Sequence, residues 1–163
     1  MKRTSAAATD LVVGAAAGLV AALAMNLFQS AWTRLAGSEE PDETAASRAA
    51  DAVSQEVSGE PVKRSAKKSA DRVVHYLTGA ALGGLYGLGG GFMPALMRGG
   101  GALFGGTIWV LADEVAVPML RLGPAPTKTG IQDHALGLAA HLVFGMVLDL
   151  SRRTLNAAIS RKV

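Results

Sequence analysis

The sequence predicts an all-α fold, a polytopic membrane helical bundle of about four transmembrane helices with a short amphipathic helix in the first loop. Half of the 163 residues are hydrophobic and only 18% are charged, which is a low charged fraction for a soluble domain. The 20 glycines lie mainly inside apolar runs, as they do in membrane helices. Four apolar runs are long enough to cross a hydrocarbon core of about 30 Å.

The four apolar runs set the order of the elements. The predicted spans cover residues 11–35, 73–97, 101–122 and 131–150, so residues 1–163 form a single integral membrane domain. Short turns connect the last three runs. Pro124 and Pro126 end the third helix because proline cannot continue the backbone hydrogen bonding.

The loop at residues 37–72 is the one predicted extramembrane segment of any size. It is acidic in its first part and basic in its second. Between its two prolines, small apolar residues recur at helical spacing: Ala45, Ala46, Ala49, Ala50, Val53 and Val57. This pattern predicts a short amphipathic helix that packs on the bundle or lies at the membrane interface, with a solvated helix as the alternative.

Basic residues beside the apolar runs carry the net charge of +3, and such clusters usually contact lipid headgroups rather than nucleic acid. We therefore expect a lipid bilayer as the partner and no nucleic acid. Lys2, Arg3, Arg98 and the basic C-terminal tail favour cytoplasmic termini in a bacterial inner (plasma) membrane, although the basic residues before Val73 then lie outside. Lys2 and Arg3 also leave a cleavable signal peptide, cut at residues 22–24, as the alternative for the first run.

Glycines at four-residue spacing predict close helix packing. The positions are Gly14 and Gly18, then Gly79, Gly83, Gly87 and Gly91, then Gly101 and Gly105, and then Gly137 and Gly145. Small residues at this spacing let helix backbones approach closely in lipid. The pattern leaves open a glycine-lined ligand or ion path, and it leaves open whether the contacts lie within one chain, in a homo-oligomer or with another membrane protein.

Two adjacent carboxylates, Asp113 and Glu114, lie in the apolar third span. An ionisable residue at that depth costs about 2.5 to 3.5 kcal/mol, so it normally faces the protein interior. Neighbouring residues on a helix point about 100° apart, so the two carboxylates are expected to meet different partners. Pro118 cannot donate a hydrogen bond to the carbonyl of Glu114, which predicts a kink beside the acids.

Counting residues from the loop ends places Asp113, His141 and Asn26 in one layer, roughly 13 to 15 Å from a membrane face. The same count places Gly83 in that layer, where it gives the polar groups room. His134 shares a helix face with His141 and lies nearer the surface. The candidate polar cluster is therefore Asn26, Asp113, Glu114, His134 and His141.

The cluster admits several interpretations. It ties the helices together through hydrogen bonds, or it forms a proton or ion relay. Two carboxylates and two histidines are acceptable metal ligands, but their spacing matches no known metal motif, so we predict no metal and no cofactor. The chain has no Cys and no Ser in a nucleophile elbow, so we predict no catalytic residues and no enzymatic activity.

Three segments resemble the YagU-like family of bacterial inner-membrane proteins, a domain of unknown function. They are WVLADEVAVPMLRL at 109–122, QDH at 132–134 with GLAAHLVFG at 137–145, and GLVAALAMN at 18–26. The resemblance implies an inner-membrane protein of unassigned activity, with acid resistance suggested for one member. It supplies no functional residues, and the segment 39–72 is where this chain is expected to depart from the family.

Three functions follow as expectations. The first is a small inner-membrane protein that supports the envelope under acid or related stress. The second is a proton or ion pathway centred on Glu114 and His141. The third is an accessory subunit that binds a partner membrane helix in the groove of Gly83 and Gly87.

Overall fold

The computed structural model describes residues 2–37, 43–89, 95, 97 and 99–161. Five helices carry most of this part of the chain: α1 Lys2–Ala36, α2 Ala45–Ser58, α3 Lys67–Gly89, α4 Ala102–Met119 and α5 Ile131–Ser160. Short 3₁₀ turns lie at Arg64–Ala66 and Pro126–Lys128. The described residues contain no strand, and the all-α prediction is confirmed.

Three helical segments are long and apolar enough to cross a membrane: Ala6–Ala36, Ala102–Met119 and Ile131–Ser160. They match the first, third and fourth predicted spans. Helix α3 lies in the second predicted span but is not among the three, since histidine, tyrosine and several glycines dilute its apolar residues. Most of residues 90–98, in the last part of that predicted span, lies outside the described residues.

Helices α1 and α5 form the centre of the bundle. Helix α1 packs against both α3 and α5, α4 packs against α5, and α2 packs against α3. The core consists of Ala17, Ala21, Ala22 and Met25 from α1, Tyr86 from α3, Phe104 from α4, and Ala140, Phe144 and Leu148 from α5. Small α1 side chains in this core bring the helix axes close together.

Helices α1 and α3 run antiparallel, and glycines of one helix pack directly against glycines of the other. A Cβ added at Gly14 would overlap the carbonyl of Gly83, and one added at Gly18 would overlap the carbonyl of Gly79. Gly87 lies in the same way against the carbonyl of Asp10. The groove on α3 is therefore filled by α1 of the same chain, while Gly91 lies outside the described residues.

The second antiparallel contact joins α4 and α5. Cβ atoms added at Gly101 and Gly105 would overlap the carbonyls of Gly145 and His141. Gly137 has a different role because it faces side chains. A Cβ placed there would lie 3.0 Å from Trp109 Nε1 and 3.3 Å from Asp113 Oδ2.

Helix α4 is irregular at the two carboxylates. Residues Val110–Ala116 form a π-helix between two α-helical segments, and the N–H of Val117 donates to the carbonyl of Ala112. The helix continues through Pro118 to Met119, so the irregularity lies before the proline instead of breaking the helix at it. Single π-helical turns inside α-helices occur frequently at functional sites.

Large apolar side chains cover the outer faces of the long helices. On α1 the exposed residues are Leu11, Val12, Leu19, Val20, Leu23 and Leu27, and α4 and α5 expose similar residues. A continuous apolar surface of this kind marks contact with another apolar phase or protein.

Helix α2 begins at a capping box formed by Thr44 and Ser47 and ends at Gly59, which has a positive φ of 77°. Ser47 and Ala50 are its buried residues. Val53 and Val57, assigned from sequence to the apolar face, are 63% and 82% exposed. The buried face of α2 is thus confined to the first part of the helix.

Candidate functional site

Two cavities meet at Asp113. The loop cavity, about 390 Å³, is lined by residues that include Arg48, Trp109, Asp113, Glu114 and His134. The central cavity, about 370 Å³, is lined by residues that include Met25, Asn26, His75, Asp113, His141 and Phe144. Because Asp113 belongs to both linings, one carboxylate links the two spaces.

Glu114 and His134 form the shortest polar contact in the loop cavity. Nδ1 of His134 lies 2.7 Å from Oε1 of Glu114, and Nε2 lies 3.0 Å from the carbonyl of Pro126. A carbonyl oxygen only accepts, so Nε2 must carry a proton. The short Nδ1–Oε1 contact then requires a second proton, held by an imidazolium that donates to a carboxylate or by a carboxylic acid that donates to an imidazole.

Asp113 meets a different histidine. Its Oδ2 lies 3.6 Å from Nδ1 of His141, which is too far for a hydrogen bond. Nδ1 of His141 instead donates to the carbonyl of Gly137, at 2.9 Å. Among the described residues Asp113 has no hydrogen bond, and its side chain is 40% exposed against 11% for His141.

Gly137 positions this part of the site. Its missing side chain lets Trp109 and Asp113 of α4 lie against α5. The Trp109 indole meets the His134 ring edge-on, with the ring centroids 6.3 Å apart. Thus α5 carries both histidines and α4 carries both carboxylates, and the two acids point to different turns of α5.

Asn26 lies in the central cavity with Asp113 and His141, but it bonds to neither of them. Its Nδ2 donates to the Tyr76 hydroxyl at 3.4 Å. Close by, Nε2 of His75 lies 3.4 Å from the carbonyl of Ala22. His75 was not among the residues of the candidate polar cluster predicted from the sequence.

The predicted place of Gly83 in this layer is wrong. Gly83 lies against Gly14 and Gly18, and the α3 residue that lines the central cavity is Gly79. The count began at Val73, the first residue of the apolar run, whereas α3 begins at Lys67. Counting about nine residues from Lys67 gives Tyr76, the partner of Asn26, and would have brought His75 into the cluster.

Helix α2 covers the loop side of both cavities. Lys67 Nζ lies 2.8 Å from Oε1 of Glu43 and 2.9 Å from Oδ2 of Asp51, and the Thr44 hydroxyl donates to Asp71. We call this group of contacts the α2 clasp. Hydrogen bonding to Lys67 lowers the pKa of the Glu43 and Asp51 carboxyls below their usual values, and the same contacts raise the pKa of Lys67.

A separate buried polar group lies near the opposite end of the bundle. Asp149 is 4% exposed, accepts a hydrogen bond from the Tyr86 hydroxyl at 2.9 Å and pairs with Arg153 Nε at 2.7 Å. On α5 it lies about 12 Å from His141, and the buried Phe144 and Leu148 lie between them. An apolar layer therefore separates the two polar regions.

Within the described residues, no group of three or more His, Asp or Glu side chains is arranged to hold a metal ion. No protein-family model, curated protein or solved structure matches the chain.

Proposed function

We propose that this protein is a four-span inner-membrane protein that carries protons from the face covered by α2 into a titratable cluster that extends from the start of α5 towards mid-membrane. The cluster consists of Glu114, His134, Asp113 and His141. In this proposal Glu114 and His134 receive the proton, and Asp113 and His141 take it further into the bundle.

The main support for the proposal is the proton shared by Glu114 and His134. Both groups are partly exposed to the loop cavity, with side-chain exposures of 20% and 22%. The backbone carbonyl of Pro126 fixes the orientation of the imidazole, so the second ring nitrogen faces the carboxylate. A His–Glu pair that exchanges one proton in a solvent-connected cavity is the arrangement that membrane proton relays use.

Asp113 provides the next step. It lines both cavities, and among the described residues its single ion-pair contact is the long one to His141. A carboxylate inside a helix bundle that has no hydrogen bond among the described residues can take up a proton or another cation. Beyond His141 the layer of Phe144 and Leu148 closes the bundle, so complete passage requires those side chains to move apart.

The membrane setting rests on two supports. Apolar side chains cover the outer faces of three helices that are long enough to span a bilayer. Helix α3 packs along α1 through glycines, which supports its insertion beside α1 as the fourth span. With four spans, cytoplasmic termini place the segment after Ser58 in the periplasm. A reporter fused after Gly59 tests this orientation, since a cytoplasmic signal would reverse it.

The geometry supports one of the other two expected roles more than the other. Support of the envelope under acid stress, which the family resemblance implies, fits a protein that takes up protons at one face. A role as an accessory subunit with a partner helix in the glycine groove has less support, because α1 already fills that groove.

Proton flux in proteoliposomes under an imposed pH gradient tests the proposal. We expect flux above that of protein-free liposomes for the wild type and for Asp133→Asn, which changes an exposed carboxylate lining the same cavity. Glu114→Gln should abolish the flux, and His141→Ala should reduce it. Flux that survives in Glu114→Gln, or no flux from folded wild-type protein, would contradict the proposal.

A further inference from the structure

The central cavity has a lining of one charge sign. Asp71 and Asp113 contribute carboxylates, and the described residues that line it include neither Lys nor Arg. The histidines His75 and His141 add ring nitrogens to the lining. The cavity is therefore suited to a cation and unsuited to an anion.

Asp113 has acceptor capacity left for such a cation. Among the described residues its one ion-pair contact is with His141 Nδ1 at 3.6 Å, and that N–H already donates to the carbonyl of Gly137. The oxygens of Asp113 can therefore pair with a cation through charge alone or through N–H donors, since a carboxylate can accept about four hydrogen bonds. Asp71, by contrast, accepts a hydrogen bond from Thr44.

The walls favour an organic ion over a metal ion. Beside the acids, the cavity is lined by the apolar side chains of Met25, Leu82, Ile108 and Phe144. Calcium and magnesium ions prefer a full shell of oxygen ligands, and within the described residues no group of three or more His, Asp or Glu side chains is arranged to hold a metal ion. A volume of about 370 Å³ lies within the range of small-molecule sites, which combine apolar walls with a few polar groups.

We infer that the central cavity binds a small organic ammonium ion, whose charge pairs with Asp113 and whose carbon groups contact Met25 and Phe144. Asn26 and His75 lie in the same lining and offer polar contacts to a substituent. The roof of the cavity is α2, where Ala46 and Ala49 face it. This inference goes beyond the proposed proton function, since binding needs no movement of protons across the membrane.

Calorimetric titration of the purified protein in nanodiscs tests the inference. The probe is (2-hydroxyethyl)trimethylammonium, and 3,3-dimethyl-1-butanol is its uncharged isostere. We expect binding of the ammonium ion and none of the isostere. No binding of the ammonium ion, equal binding of the two compounds, or displacement of the ammonium by an equal concentration of sodium would overturn the inference.

Two variants locate the site. Asp113→Asn should weaken ammonium binding at least about tenfold, because an isosteric amide removes the paired charge. Ala49→Leu should weaken it by filling the cavity without changing the charge. Unchanged affinity in Asp113→Asn would overturn the inference, and circular dichroism on each variant verifies that it is folded.

A third variant separates this inference from the proposed function. Glu114 lines the loop cavity and not the central one. Glu114→Gln should therefore keep the ammonium affinity while it loses proton flux. Loss of ammonium binding in Glu114→Gln would count against a site centred on Asp113, whatever the flux measurement gives.

Discussion

Glu114 and His134 lie 2.7 Å apart and hold one proton between them, because the other nitrogen of His134 is committed to the carbonyl of Pro126. The pair joins the π-helical part of α4 to the first turn of α5. It is therefore both a helix contact and a site at which a proton can be exchanged.

The helix contact predicts a loss of stability in Glu114→Ala. The substitution leaves Nδ1 of His134 without its partner in a partly buried site. We expect a lower free energy of unfolding in detergent, measured as a lower Tm. Glu56→Ala, which changes an exposed carboxylate on α2, serves as the control. An unchanged Tm in Glu114→Ala would show that the pair does not tie α4 to α5.

Substitution of two adjacent glycines on α4 is expected to change the stability of the protein in opposite directions. Gly105→Ala places a Cβ against the backbone of His141, whereas at Gly106 the nearest atom is Leu142 Cδ2, at 4.0 Å. We expect Gly105→Ala to destabilise the protein by about 1 to 3 kcal/mol. Gly106→Ala should stabilise it by up to about 1 kcal/mol, since alanine favours the helix. Thermal melts that rank the two variants in the reverse order would contradict the close α4–α5 contact.

The α2 clasp predicts that docking of α2 depends on pH. Lys67 lowers the pKa of Glu43 and Asp51 in the folded protein, so their contribution is present above the ordinary pKa values of 4.5 and 3.8. It is lost as the pH falls below them. The contribution of Lys67, whose pKa is raised above 10.5, is lost as the pH rises through the raised value.

Hydrogen exchange of the α2 amides measures this dependence. We expect lower protection of these amides, after correction for the intrinsic pH dependence of amide exchange, at acidic than at neutral pH in the wild type. The acid response should be much smaller in Lys67→Met, which has already lost the Lys67 contacts of the clasp. The same acid response in both proteins would assign the effect to other groups.

The buried hydrogen bond between Tyr86 and Asp149, near the opposite end of the bundle, predicts a loss of stability when it is removed. Tyr86→Phe removes the hydroxyl that donates to Asp149, which is 4% exposed. We expect a decrease of about 1 kcal/mol or more in the free energy of unfolding. Tyr76→Phe is the matched control, because that hydroxyl has only a 3.4 Å contact with Asn26. Equal decreases in Tm for both variants would argue against a special role for Asp149.

Apolar runs predicted the helical architecture because helix formation and burial in an apolar phase depend on residue composition. Asp113 and Glu114 lie near two different histidines, as the helical angle between neighbouring residues predicts. The π-helical turns that contain the two carboxylates were not predicted. A π-helix shifts the backbone hydrogen bonds by one residue relative to an α-helix. Here the shift occurs in the part of α4 that packs on α5.

The misplaced Gly83 and the missed His75 share one cause. Counting from the edge of an apolar run assumes that a helix begins where the apolar residues begin. Helix α3 instead starts six residues earlier, within its basic segment at Lys67. Contacts that join distant parts of the chain, such as Arg48 with the carbonyl of Leu122, leave no local pattern in the sequence.

The most direct test of the central claim is the ¹⁵N side-chain spectrum of His134 in bilayers, assigned with His134→Gln. The account predicts that Nε2 is protonated and that Nδ1 shows a strong hydrogen bond, which changes in Glu114→Gln. An unprotonated Nε2, or an Nδ1 signal that Glu114→Gln leaves unchanged, would contradict a proton shared by Glu114 and His134.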